Sequence, residues 1–301
     1  MPKIEYVPKK FSDEHRQVID RANTILRDYA RRGYDLTLRQ LYYQFVSRNW
    51  LRNTVQSYKR LGGIVSEARR AGLIDWSHIV DRTRNLRAAS TWGSPADIVG
   101  ACARQFDVDL WADQGFRVEA WVEKDALIGV LEVACRRHQI PYFSCRGYTS
   151  DSEVWSAAQR MRGHVKGGQK VMVLHLGDHD PSGIDMTRDI RERIELFGDV
   201  GENEVEIRRI ALNMPQIEQY GPPPNPAKET DSRYRGYQEL HGDESWELDA
   251  LSPEVITELI HTEAERLIDE TTWAEAVARR EEGRRLLGAV SARWDELTEG
   301  L

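Results

Sequence analysis

The sequence predicts an α/β protein: a parallel sheet domain preceded by a small helical unit. Three observations carry this. Between residues 116 and 211, short apolar runs alternate with amphipathic helical stretches, and such alternation builds parallel sheets. The first ninety residues open on helical patterns instead. Between the two lies ASTWGSPAD (89–97), which reads as a linker, so the expected domains are 1–90 and 97–301.

Length and composition suit this division. The chain has 301 residues, 40% apolar and 30% charged, as expected of a folded chain of two ordinary domains. No apolar run approaches the ~18 residues of a membrane span. The start, MPKIEYVPKKF, lacks the apolar region of a signal peptide. Cys102, Cys135 and Cys145 have no metal-ligand spacing. A cytoplasmic protein without a disulfide framework is the expectation.

In the first domain, Ser12 caps a helix running to about Arg32, with Val18, Ile19, Ala22, Ile25, Leu26 and Tyr29 as its apolar stripe. Thr37 and Gln40 have capping-box spacing and open a second helix, Leu38 to about Arg48. A third helix spans about Val55 to Ala71 and carries Lys59, Arg60, Arg69 and Arg70. Ile74–Val80 and the following DRTRNLR read as a strand and wing. Three short helices and a wing describe a winged-helix DNA-binding unit.

In the second domain the expected strands are Phe116–Val122, Pro141–Cys145, Lys170–Leu176 and Glu204–Ala211. Helices are expected over Asp125–Arg137, from Ser150 to about Arg162, and from a Ser182 cap to about Phe197. Residues 213–250 are rich in proline, glycine and polar groups, and GPPPNPAKETDSRYRG is expected to lie extended over the surface. Ser252-Pro253 marks a helix start, and two charged amphipathic helices follow.

Charge divides along the same line. Residues 1–90 hold 18 Lys+Arg against 9 Asp+Glu, while the remainder holds 24 against 40. The chain carries a net charge of -7, yet its first third is basic, a cue for nucleic-acid contact. Lys59, Arg60, Arg69 and Arg70 are the candidate DNA-binding side chains.

The acidic candidates lie at strand ends. GDHDPSG (177–183) follows an apolar strand and carries Asp178 and Asp180, and Glu123 ends another strand. Ligands of parallel sheets bind at the carboxyl ends of strands. Three carboxylates there form an oxygen-rich site of the kind Mg²⁺ favours. A turn with a helix cap accounts equally for the individual residues of DHDPSG.

The second helix holds a candidate nucleophile. With about 100° per residue, Leu41, Tyr42 and Phe45 fall within about 60° of Leu38 and form the core face, while Tyr43 lies about 140° away. Arg39 is one turn before Tyr43 on the same side. A phenol with pKa near 10 needs a base or a nearby cation to attack at neutral pH, and Arg39 is placed to supply the charge. An amphipathic surface tyrosine is the alternative.

Together these segments resemble the A subunit of type VI DNA topoisomerases and the related meiotic double-strand-break transesterase. TLRQLYY (37–43) is similar to the family's catalytic-tyrosine helix, and VEKDALIGVLE (122–132) to the first acidic motif of a Toprim domain. RGYTSDSEVW (146–155) resembles the family's Gly-Tyr segment, LGDHDPSG (176–183) its Asp-x-Asp motif, and WELDAL (246–251) a late Glu-rich segment. The likeness spans about residues 35–251 in the family's order. Gln40 stands where the family usually has an acid, Thr-Ser-Asp where it often has Pro-Asp, and the chain is shorter than the usual A subunit.

The resemblance implies a winged-helix domain followed by a Toprim domain, with C-terminal helices. It implies that Tyr43 is the attacking tyrosine, assisted by Arg39, and that Glu123, Asp178 and Asp180 hold Mg²⁺. The implied activity is that of a type IIB topoisomerase A subunit: a double-strand break in DNA through a 5′-phosphotyrosyl intermediate, with a free 3′-OH. In the family, the tyrosine of one protomer works with the metal site of the other, which implies a homodimer, and the ATPase is a separate B subunit. Rival readings are a Toprim nuclease using metal-activated water, a primase-type Toprim enzyme, and a non-catalytic DNA-binding or assembly subunit.

Overall fold

The computed structural model describes residues 3–80 and 89–299. Three helices form the N-terminal unit: α1 (Asp13–Arg31), α2 (Leu38–Ser47) and α3 (Val55–Arg70). Each starts at a hydroxyl cap. Ser12 accepts from the His15 N–H, Thr37 from Gln40 and Thr54 from Ser57. At α2 the box is reciprocal, since the Gln40 side chain accepts from the Thr37 N–H at 2.8 Å. Such caps satisfy N–H groups that a helix start leaves open. The apolar faces meet in one core that includes Ile19, Ile25, Leu26, Leu41, Phe45, Leu61 and Ile64.

The segment after α3 does not form the expected strand. Ile79 makes only an isolated parallel bridge with Leu36, within a chain of turns. DRTRNLR, read as the wing, falls on residues 81–87, outside the described residues.

Four strands build the second unit: β1 (Phe116–Val122), β2 (Tyr142–Ser144), β3 (Lys170–Leu176) and β4 (Val205–Ala211). They lie parallel in the order β2-β1-β3-β4. Helices α5 (Ile128–Arg136), α6 (Asp151–Lys166) and α7 (Pro181–Gly198) make the crossovers. Both faces of the sheet are covered. Val118, Ala120, Val122, Met172 and Leu174 face α5 and a later helix, while Trp121, Val171 and Val173 pack with side chains of α6 and α7. Burial on both faces accounts for the nearly unbroken apolar run VMVLHL in β3.

The strand boundaries agree with the sequence expectation to within a residue or so; several other expectations need correction. The supposed linker 89–97 is partly helical, because Ser94 caps α4 (Pro95–Gln105). Asp125–Leu127 is a 3₁₀ turn before α5. Asp180, not Ser182, caps α7, with Pro181 at the first helical position. Residues 213–250 hold α8 (Met214–Tyr220), α9 (Tyr234–His241) and a short hairpin of β5 (Asn225–Pro226) with β6 (Glu244–Ser245). Three C-terminal helices follow: α10 (Pro253–Glu265), α11 (Glu270–Ala292) and α12 (Trp294–Thr298). Ser252 caps α10 with Pro253 next, as the sequence suggested. Among the described residues, no helix is long and apolar enough to cross a membrane.

Candidate functional site

The site lies where the sheet reverses its strand order. From β1 the chain crosses through α5 to one side; from β3 it crosses through α7 to the other. The crevice outside the carboxyl ends at such a switch point is the usual ligand site of an open α/β sheet. Glu123 follows β1, and Gly177 to Asp180 follow β3. The Glu123 N–H donates to Leu176 O at 2.9 Å, and Glu123 Oε2 accepts from the Asp178 N–H at 2.8 Å, so the two strand ends are tied together.

A distant segment completes the site. Trp246 exchanges backbone hydrogen bonds with His179, at 2.8 and 2.9 Å. This lays residues 246–250 across the Asp-x-Asp loop, and the Leu248 N–H donates to Asp178 Oδ1 at 2.8 Å. Glu247 and Asp249 flank Leu248 and reach Lys124. The Lys124 ammonium lies 2.8 Å from Asp178 Oδ2, 2.6 Å from Glu247 Oε2 and 3.2 Å from Asp249 Oδ1.

From the other direction comes α2. Arg39 pairs with Glu247, and its Nε lies 2.7 Å from Asp249 Oδ2. Its Nη2 also donates to Tyr43 Oη at 3.4 Å. An unbroken set of contacts therefore runs from the Tyr43 phenol through Arg39, Glu247 and Lys124 to Asp178, all within one chain. Beside it opens a cavity of about 320 Å³ lined by Tyr42, Tyr43, Tyr58, Asn53 and Asn225 among others.

Tyr43 is not the surface residue that a wheel of α2 suggests. It is only 3% exposed. It belongs to the core of the first unit, with the Tyr42 ring 5.4 Å away and the Arg39 guanidinium over its own ring, and Ala250 of the second unit joins that core.

The charges of the site are strongly perturbed. Burial pushes the Tyr43 phenol well above its ordinary range, aided by Asp249 and Glu247 and opposed by Arg39 and Lys124. Burial works against the Lys124 charge, but Asp249, Asp178 and Glu247 outweigh it and raise its pKa. Burial also favours a protonated Glu247, yet Lys124 and Arg39 pull it down to about 2. Asp178 and Glu123 are both raised by burial.

The Mg²⁺ ligand set implied by the resemblance can be tested against these bonds. Both Asp178 oxygens are engaged, by Lys124 and by the Leu248 N–H. Asp180 Oδ1 accepts from Gly183 N and Ser182 Oγ as the α7 cap. Among the described residues, Asp180 Oδ2 and Glu123 Oε1 accept no hydrogen bond, and no group of three His, Cys, Asp or Glu residues is arranged to hold a metal ion. Mg²⁺ commonly binds through one or two carboxylates and keeps its waters. Glu123 and Asp180 fit that pattern; Asp178, held by Lys124, does not join them as placed.

The basic candidates on α3 divide. Lys59 and Arg70 are exposed. Arg60 pairs with Glu14 at 2.5 Å. Arg69 turns inward, stacks on Trp76 and donates to Trp76 O and Ile79 O at 2.8 and 3.1 Å. Sequence reasoning missed Lys124, Glu247 and Asp249 as site residues. The available signal was the acid-x-acid spacing in WELDAL, the same as in DHD. Comparison with known protein families and with curated proteins finds no match to this chain.

Proposed function

We propose that the protein is a DNA-cleaving transesterase of the type IIB topoisomerase A-subunit kind, built from a winged-helix-like unit and a Toprim-like α/β unit. The observation that carries this reading is the junction of a tyrosine–arginine pair with a carboxylate cluster at a sheet switch point. Tyr43 and Arg39 come from the basic unit; Glu123, Asp178 and Asp180 come from the acidic one. A phenol beside an arginine, next to acidic strand ends, is a nucleophile with its electrostatic partner at hand.

In this reading Lys59 and Arg70 hold duplex phosphates, with Arg60 once it leaves Glu14. The Tyr43 oxygen attacks phosphorus and its proton passes to solvent. The P–O3′ bond breaks, and the 3′ oxygen leaves and takes up a proton. The product is a 5′-phosphotyrosyl bond and a free 3′-OH, so one phosphoester replaces another and resealing needs no nucleotide. Arg39 offsets charge on the phenol oxygen and the transferred phosphate. Mg²⁺ held by Glu123 and Asp180 would supply charge stabilisation at the phosphate and the departing oxygen. A homodimer sets one such site on each strand, and a separate B-type ATPase is compatible with the chain.

The deep burial of Tyr43 favours one rival, a nuclease that uses metal-activated water and never the phenol. One assay separates them. Supercoiled plasmid and Mg²⁺ are mixed with the protein and quenched with SDS, with and without proteinase K. Breaks that carry protein and vanish in Tyr43→Phe support the transesterase. Protein-free breaks that survive Tyr43→Phe but need Asp180 support the nuclease.

A further inference from the structure

The seam between the two units is polar and charged. Besides Arg39 with Glu247 and Asp249, Arg32 pairs with Glu254 at 2.8 Å, and Tyr34 Oη lies 3.0 Å from Thr257 Oγ1. Asn53 donates to Asn225 Oδ1 at 2.7 Å. In each ion pair the cation belongs to the basic unit and the carboxylate to the acidic remainder. Behind this seam lies Tyr43, 3% exposed. Tyr43 lines the neighbouring cavity of about 320 Å³ together with Arg39 and Glu247, and with the seam closed its side chain offers almost no surface to a phosphodiester.

We infer that the segment 247–257 is an autoinhibitory strap: its carboxylates occupy Arg32 and Arg39 in place of DNA phosphates and keep Tyr43 shut until a polyanion displaces them. The inference rests on the transesterase reading and adds its regulation. The chemistry supports displacement. Glu254 and Arg32 are solvent-accessible, and exposed ion pairs hold with modest energy. A polyphosphate backbone offers the same guanidinium groups many acceptors and releases counterions as it binds. Leu248, Leu251 and Ile256 anchor the segment in the core of the α/β unit, so it moves with that unit; at the seam itself Ala250 leaves the core of the first unit, and one alanine carries little apolar area.

The test uses a double variant remote from the reacting groups, Glu254→Gln with Thr257→Val. It removes two seam contacts and leaves Arg39, Tyr43 and the carboxylate cluster untouched. Two readouts are taken on the full chain. Nitration of Tyr43 by tetranitromethane is followed by mass spectrometry, with exposed Tyr6 as the internal reference. Binding of a labelled 30-base-pair duplex is followed by anisotropy at fixed salt.

The expected result is at least a fivefold faster nitration of Tyr43 in the variant, with Tyr6 unchanged, and at least fivefold tighter duplex binding. The strap is overturned if Tyr43 of the wild type reacts as fast as Tyr6. It is also overturned if the folded variant leaves both Tyr43 reactivity and affinity unchanged. A Tyr43 that is freed in a variant that binds no duplex would support the strap, overturn DNA as its opener, and remove the transesterase reading with it. An unfolded variant, judged by circular dichroism, would overturn the view that the seam is a weak contact. Asn225→Ala, which removes only the Asn53 hydrogen bond, then decides whether a smaller loosening frees Tyr43.

Discussion

The Lys124 ammonium lies 2.8 Å from Asp178 Oδ2, at the centre of the acidic site. It also touches Glu247 and Asp249, so one cation balances three carboxylates in a largely enclosed place. Removing one partner of a buried pair leaves an uncompensated charge, which costs about 3–5 kcal/mol. Lys124→Met is therefore expected to destabilise the protein by roughly 3 kcal/mol in urea unfolding. Adding Asp178→Asn to it should recover part of the loss, because the orphaned carboxylate is then gone. Equal costs that simply add in the double variant would refute the coupling.

Gly183 supplies the second prediction. A Cβ there would collide with the backbone oxygen of Asp178, in the first turn of α7 that Asp180 caps. Its N–H donates to Asp180 Oδ1 at 2.6 Å, and its carbonyl accepts from Arg209 at 2.9 Å. Gly183→Ala must move backbone that carries both aspartates, at a cost of about 1–3 kcal/mol. The control is Gly163→Ala in α6, where nothing lies within 4 Å of the added atom. That change should stabilise by about 0.5–1 kcal/mol. Denaturation midpoints that shift the same way for both would contradict this.

Much of this arrangement was legible in residue order. Strand β3 announced itself as an apolar run, which burial on two faces demands, whereas β1 and β4 interleave Arg117, Glu119, Glu206, Arg208 and Arg209 with their apolar residues and were legible by alternation with helices. Ser252-Pro253 gave a true helix start. The same Ser-Pro signature at Ser94-Pro95, and Asp-Pro at Asp180-Pro181, marked α4 and α7 just as clearly, but a linker composition and a competing serine masked them. The helices of residues 213–250 were hidden by proline and glycine around and within them, since Pro215 lies in the first turn of α8 and Gly236 within α9. The burial of Tyr43 was not legible at all. A helical wheel orders the side chains of one helix, whereas the Arg39 beside Tyr43 is held by Glu247 and Asp249, some two hundred positions away. Lys124, Glu247 and Asp249 escaped for the same reason, as their meaning depends on the bridge between His179 and Trp246.

Buried histidines, His138 and His175 among them, weaken the fold in acid. Burial lowers His138 to about 4 and His175 to about 3. Both are neutral in the folded protein, while in the unfolded chain they titrate near 6.5. Below about pH 6.5 the unfolded chain binds protons that the fold refuses, so stability falls as pH drops toward 4 and is unaffected by these groups above 6.5. The melting temperature should fall by about 5 °C or more between pH 7 and pH 4.5. His138→Phe keeps a ring beside Trp273 and should flatten that slope; an unchanged slope would show that His138 does not titrate with unfolding.

The reciprocal cap of α2 bears on the tyrosine directly, because Thr37 and Gln40 start the helix that carries Arg39 and Tyr43. Thr37 Oγ1 accepts from Gln40 N at 3.2 Å, and Gln40 Oε1 accepts from Thr37 N at 2.8 Å. With only ten residues, α2 has little internal reserve, since short helices are marginal without their ends secured. Thr37→Ala should cost about 1 kcal/mol in urea unfolding. Gln40 performs its cap through a side-chain carbonyl, which a glutamate supplies equally well. Its place in an otherwise acidic position of the resembled motif is thus compatible with a formed helix. Gln40→Ala keeps the Thr37 half of the box, and the double variant Thr37→Ala with Gln40→Ala should lose less than the two single losses summed, because each hydrogen bond helps to hold the other. Additive losses in that cycle would mean that the box does not act as a unit, and that the register of Arg39 and Tyr43 is held by packing alone.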